Sequence, residues 1–144
     1  TDSGMTTRNL GVQLTANGVG GTSTSKALSL LANASIDVGG VVGIDAAKNV
    51  GGGLNGAAIF MTLGTLNSAE NNSGLRTAIR GSQVNIQMAL SGTNTFGLFA
   101  EHATAIEATS GDINITATYS GSGSTSGAGM WMGSASAKTA RSTR

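Results

Sequence analysis

The chain contains no cysteine and no proline, and aromatic residues fill only 3% of its 144 positions. Without cysteine, a fold stapled by disulfides or by thiolate-bound zinc is excluded. Charged residues are equally scarce, at 10% against about 25% in ordinary globular domains. Eight Lys and Arg with a net charge of +1 are too few to neutralise a run of phosphates, so no nucleic-acid partner is expected. Charged helix formers are too rare for a coiled coil or helical bundle. No apolar run approaches the roughly 18 residues of a membrane-crossing helix, so no membrane span is expected.

What is present is small and polar. Gly, Ala, Ser, Thr and Asn supply 89 of the 144 residues. A hydrophobic share of 39% with mean hydropathy of +0.09 still suffices to bury a core, which argues against disorder. A chain of this length ordinarily makes one domain. The Ser/Thr/Asn/Gly-rich, cysteine-free composition points to an extracellular or cell-surface protein, where a stray thiol is a liability. No signal peptide is read at the start, and Thr1-Asp2-Ser3-Gly4 is taken as a processed end or the edge of an excerpt.

The readable periodicity is two. Leu10, Val12 and Leu14 alternate with Gly11 and Gln13, and Ile36 and Val38 flank Asp37. Leu75, Thr77 and Ile79 alternate with Arg76, Ala78 and Arg80, which places both arginines on a wet face. Val84, Ile86, Met88 and Leu90 form another such series, as do Ile113, Ile115, Ala117 and Tyr119. These patterns predict short strands with one face buried. Turn clusters separate them, including Gly51-Gly52-Gly53, Asn71-Asn72-Ser73-Gly74 and Ser91-Gly92-Thr93-Asn94, because Gly and Asn tolerate positive φ. Residues 24–34 fit a short helix and a strand equally well. Lack of proline suits strands paired on both edges. The shortage of aromatics predicts a narrow interior filled by Val, Ile, Leu, Met and Ala.

Two segments repeat. Residues 83–92 align with 112–121 at an offset of 29, and Gly97-Leu98-Phe99-Ala100 aligns with Gly129-Met130-Trp131-Met132 at an offset of 32. Gly74-Leu75-Arg76-Thr77 is read as an earlier copy of the second patch. A length-variable repeat of strand and turn is the signature of a β-solenoid, with coils near 30 residues holding two or three strands. The fold expectation is therefore all-β, a β-solenoid of short strands with Gly/Asn/Ser turns. A single domain over 1–144 is expected, with 1–32 less regular, 33–134 repeat-like and 135–144 a polar, basic tail or strand edge.

The runs SGDINITATYSGSG (110–123), SQVNIQMALSG (82–92) and NASIDVGG (33–40) resemble the degenerate repeats of filamentous-haemagglutinin-like adhesins and autotransporter passengers. The resemblance implies a right-handed parallel β-helix, secreted and displayed as a surface rod. It extends over half to two thirds of the chain, and departs from the family in irregular spacing and in residues 17–31.

Chemistry-bearing residues are few. His102 follows Glu101, but neighbours in a strand point to opposite faces, so His102 is read as a solvated loop residue. Carboxylates at Glu101, Glu107 and Asp112 near Arg76 or Arg80 would suit a β-helix polysaccharide hydrolase or lyase only if two of them met on one face. Gly51-Gly52-Gly53 lacks the Asp of a repeated calcium motif. Gly121, Gly123 and Gly127 miss the dinucleotide fingerprint by one residue, and no nucleophile elbow or phosphate loop is present. No catalytic residues, cofactor or metal site are expected. Asn33, Asn71 and Asn114 begin glycosylation-type triplets, but asparagine ladders between coils are the preferred reading. Candidate partner contacts are Trp131, Phe99, Arg76 and Arg80. For Trp131 two registers stay open, ring outward or ring inward with Met130 and Met132 exposed.

The function expected is a secreted or surface-displayed structural and adhesive rod segment. Its partners would be other copies or further coils of the same protein, and host or cell-surface glycans or proteins. The alternative is a filament subunit whose N-terminal strand Leu10–Leu14 completes a neighbour's sheet.

Overall fold

The computed structural model describes residues 10–17, 26–31, 34–49, 56–62, 77–92, 95–101, 104–120, 129–133 and 141–143. The strands in chain order are β1 (Val12–Asn17), β2 (Leu28–Leu31), β3 (Ser35–Asp37), β4 (Val41–Lys48), β5 (Ile59–Thr62) and β6 (Thr77–Gly81). They continue as β7 (Gln83–Leu90), β8 (Leu98–Glu101), β9 (Thr104–Ala108), β10 (Ile113–Tyr119), β11 (Met130–Gly133) and β12 (Arg141–Thr143).

The strands form three parallel sheets by one rule, each strand pairing with the third strand after it. The orders are β1-β4-β7-β10, β2-β5-β8-β11 and β3-β6-β9-β12, here sheets A, B and C. Each successive trio of strands is thus a layer that gives one strand to each sheet. Pairing is in register, so chemically like residues stack: Val12, Val42, Val84 and Ile113 form one row of sheet A, and Leu14, Ile44, Ile86 and Ile115 another.

The core follows from the alternation. Ile44 and Ile86 of sheet A, Ile59, Met61 and Leu98 of sheet B, and Ile79 and Ile106 of sheet C belong to one buried cluster. This cluster contains only Val, Ile, Leu, Met and Ala, the residue types expected from composition, and the buried ring of Phe99 lies outside it. Each fully buried Ile or Leu contributes about 1.5–3 kcal/mol relative to exposure.

The repeats read from the sequence coincide with the register. Val84 pairs with Ile113 at an offset of 29, and Leu98 with Met130 at an offset of 32. The third proposed copy is corrected: Thr77 opens β6 in sheet C, while the sheet B partner of Leu98 is Ile59, and 74–76 lie outside the described residues. The ambiguous 24–34 segment contains a strand, because Leu28–Leu31 pairs with β5 and sets Leu30 into the core. Within the 135–144 tail, Arg141–Thr143 pairs with β9, which is the strand-edge reading. The Ser91-Gly92 turn uses glycine as expected: Gly92 has φ of 85°, a region that side chains resist.

Candidate functional site

The outward face of sheet A carries the most ordered polar surface. Its inward rows are apolar, so the pleat leaves Gln13, Gly43, Asn85 and Asn114 in one outward row and Thr15, Asp45, Gln87 and Thr116 in the next. Asn114 Nδ2 donates to Asn85 Oδ1 at 3.0 Å, and Gln83 Nε2 donates to the same oxygen at 3.0 Å. This is the inter-layer asparagine contact anticipated for Asn114. Gly43 has a particular use here. A Cβ on it would strike Gln13 Oε1, so its bare backbone lets the Gln13 amide lie across the strand and donate to Asp45 Oδ2 at 3.0 Å.

Beside this row lies a shallow trough of about 300 Å³, lined among others by Thr15, Asp45, Ala47, Gln87, Ala89 and Thr118. Ala47 and Ala89 make the hollow, because their methyls end where longer side chains would fill the surface. The trough combines a carboxylate, an amide and hydroxyls with methyl walls. That set both donates and accepts hydrogen bonds, which suits a ligand rich in hydroxyl groups.

On the outward side of sheet C an ion ladder crosses three layers. Asp37, Arg80 and Glu107 are register partners. Arg80 Nη1 lies 3.3 Å from Asp37 Oδ1, and its Nε lies 3.5 Å from Glu107 Oε2. Of the expected contact residues, Arg80 therefore spends its guanidinium on the fold's own carboxylates. Arg76 and His102 lie outside the described residues. Phe99 is 4% exposed, its ring 5.3 Å from that of Phe60, a tilted aromatic pair. Lys26 Nζ sits 4.8 Å over Phe60, a cation–π contact. Trp131 is the register partner of Phe99 in the last layer.

The carboxylates considered for sugar chemistry are dispersed. Glu107 meets Arg80 in sheet C, Glu101 ends β8 in sheet B, and Asp112 precedes β10 in sheet A, its carbonyl accepting from Val84 N–H. Among the described residues no group of three or more His, Cys, Asp or Glu converges. No helix among them is long and apolar enough to cross a membrane.

Lys48 was not singled out from the sequence, although its signal is there: it continues the inward series Val42, Ile44, Ala46. It is 1% exposed and donates from Nζ to Gly56 O. Burial, and secondarily the charge of Lys26, hold its pKa below the usual 10.5. Asp45 and Gln87 were also missed, because outward polar positions in short strands look alike until register aligns them.

Comparison with family models, with curated proteins and with solved structures gives no match to the chain.

Proposed function

We propose that the chain is a segment of a right-handed parallel β-helix, a non-enzymatic rod that works at the cell surface in structure and adhesion. The observation that carries the reading is the unbroken pairing of each strand with the third one after it, in parallel and in register. A chain returning to the same sheet in parallel after two strands elsewhere is a crossover, and crossovers of this kind are overwhelmingly right-handed. Such coils stiffen a rod through continuous backbone ladders. They also repeat outward side chains about every 4.8 Å, which gives a partner many weak contacts at once.

The contact face in this reading is the outward side of sheet A, with the trough between Asp45, Gln87 and Thr118. Cell-surface glycans are the ligand class that best fits its hydroxyl, amide and carboxylate groups. Binding of the immobilised chain to a panel of surface glycans tests this. The expected result is retention of hydroxyl-rich oligosaccharides, weakened about tenfold by Asp45→Asn with Gln87→Ala, a loss of about 1.4 kcal/mol. Undiminished binding by the double variant, or no retention at all, overturns the adhesive assignment.

A further inference from the structure

The middle layers, β4–β6 and β7–β9, supply nearly all of the fully buried core. The partly buried apolar side chains packed against it come from the two outer layers: Val12, Leu14 and Ile36 among them at one end, Ile113, Ile115 and Met132 at the other. Exposed large hydrophobics follow the same division. Leu10 and Leu31 flank or end strands of the first layer, Tyr119 and Met130 belong to the last, and Val41 is the single exception among the described residues. Among the described residues, the stack thus has a head and a foot where its apolar side chains are only partly covered.

The two ends match each other. Head strands β1, β2 and β3 have 6, 4 and 3 residues, and foot strands β10, β11 and β12 have 7, 4 and 3. Natural sheets usually blunt such edges with Lys, Pro or bulges. These six strands contain no lysine and no proline, and their charges are two: Asp37 at the head and Arg141 at the foot. The two charges are opposite in sign and both belong to sheet C. The side chain of Asp37 is 57% exposed.

We infer that the foot of one chain docks on the head of a second copy, adding β10, β11 and β12 to β1, β2 and β3 of its neighbour. The inference rests on the β-helix reading above. Continued register sets Ile113 on Val12 and Ile115 on Leu14, repeating the Val84–Ile113 and Ile86–Ile115 pairs within the chain. In sheet C the same register sets Arg141 on Ser35 and Thr143 on Asp37. Head and foot are different surfaces, so the contact is heterologous and propagates into an open filament unless an end is blocked.

Sedimentation velocity of the 144-residue chain over about a hundredfold range of concentration tests this, with far-UV circular dichroism on the same samples. The expected result is β-rich spectra throughout and mass that rises with concentration, as mass action requires. Leu14→Lys blocks the head and Ile115→Lys the foot. Each variant alone stays monomeric, and their mixture stops at dimers, since one free foot meets one free head. A β-rich wild type that stays monomeric at every concentration overturns the docking while leaving the β-helix reading in place. Dimers of either blocked variant alone overturn its head-to-foot direction. Loss of the β spectrum in the wild type rejects the β-helix reading itself.

Discussion

Replacing one isoleucine in a middle layer costs far more than replacing its register partner in an outer layer. Ile86 is fully buried and pairs with Ile44 on one side and Ile115 on the other. Ile86→Ala removes three carbons, about 2.4 kcal/mol at about 0.8 kcal/mol per buried group. The strands on both sides are held by backbone ladders, so the space cannot collapse, and the cavity raises the loss to about 4 kcal/mol. Ile115 is only partly buried and belongs to the outermost layer. Its deletion opens to solvent instead of leaving a closed cavity, and about 1.5 kcal/mol is expected from the transfer loss alone. Urea unfolding followed by circular dichroism in dilute solution separates the two. With a slope of about 2 kcal/mol/M, the midpoint falls by about 2 M for Ile86→Ala and by under about 1 M for Ile115→Ala. Equal shifts, or a larger one for Ile115→Ala, would refute the layered arrangement.

Lys48 gives the stability a distinctive pH dependence. Its folded pKa lies below the usual 10.5, so between the two values the unfolded chain holds the extra proton and stability rises with pH. Lys48→Met should flatten that rise in denaturant midpoints measured up to pH 10.5, and an unchanged slope counts against it. Gly92→Ala should lower stability by about 1–3 kcal/mol, because φ of 85° strains any side chain and the new Cβ meets Asn49 O. A raised or unchanged melting temperature would contradict this. Arg80→Ala removes both links of the Asp37–Arg80–Glu107 ladder. Since Arg80 is 43% exposed, the loss should be only about 1 kcal/mol and should shrink in 1 M salt. A salt-independent loss would point to packing by the arginine stem.

Sheet A was the most legible part of the fold. In Val84–Leu90 and Ile113–Tyr119 every second residue is apolar and the others are mostly polar, so strand, facing and register all followed from the repeat. Sheet C was legible only in part, for a physical reason. Asp37 and Arg80 showed as outward, but in β6 and β9 the outward-phase residues Ala78 and Ala105 are buried as well, so polarity marks only one outward position in each strand. The interval between β5 and β6 also spans residues 63–76, against two between β8 and β9, and this hid the repeat of the second layer. On the candidate surface, Arg80 was legible as outward, but its acidic partner Asp37 lies 43 residues away and only register joins them. Phe99 signalled a large apolar ring, yet nothing local foretold that Phe60 would take it up. The trough depends on two alanines in adjacent layers, a contrast of size that no motif records.

The absence of cysteine makes the central claim, parallel in-register stacking of the layers, open to direct measurement. Gln87 and Thr116 are register partners on the outward face of sheet A, so their Cα atoms lie about 4.8 Å apart, within disulfide reach. Gln87 and Thr118 are displaced by two residues, or about 8 Å, beyond that reach. Mass spectrometry after mild oxidation should find an intrachain bond in the Gln87→Cys/Thr116→Cys variant and almost none in Gln87→Cys/Thr118→Cys. Equal closure in both, or closure only of the displaced pair, would contradict the stack.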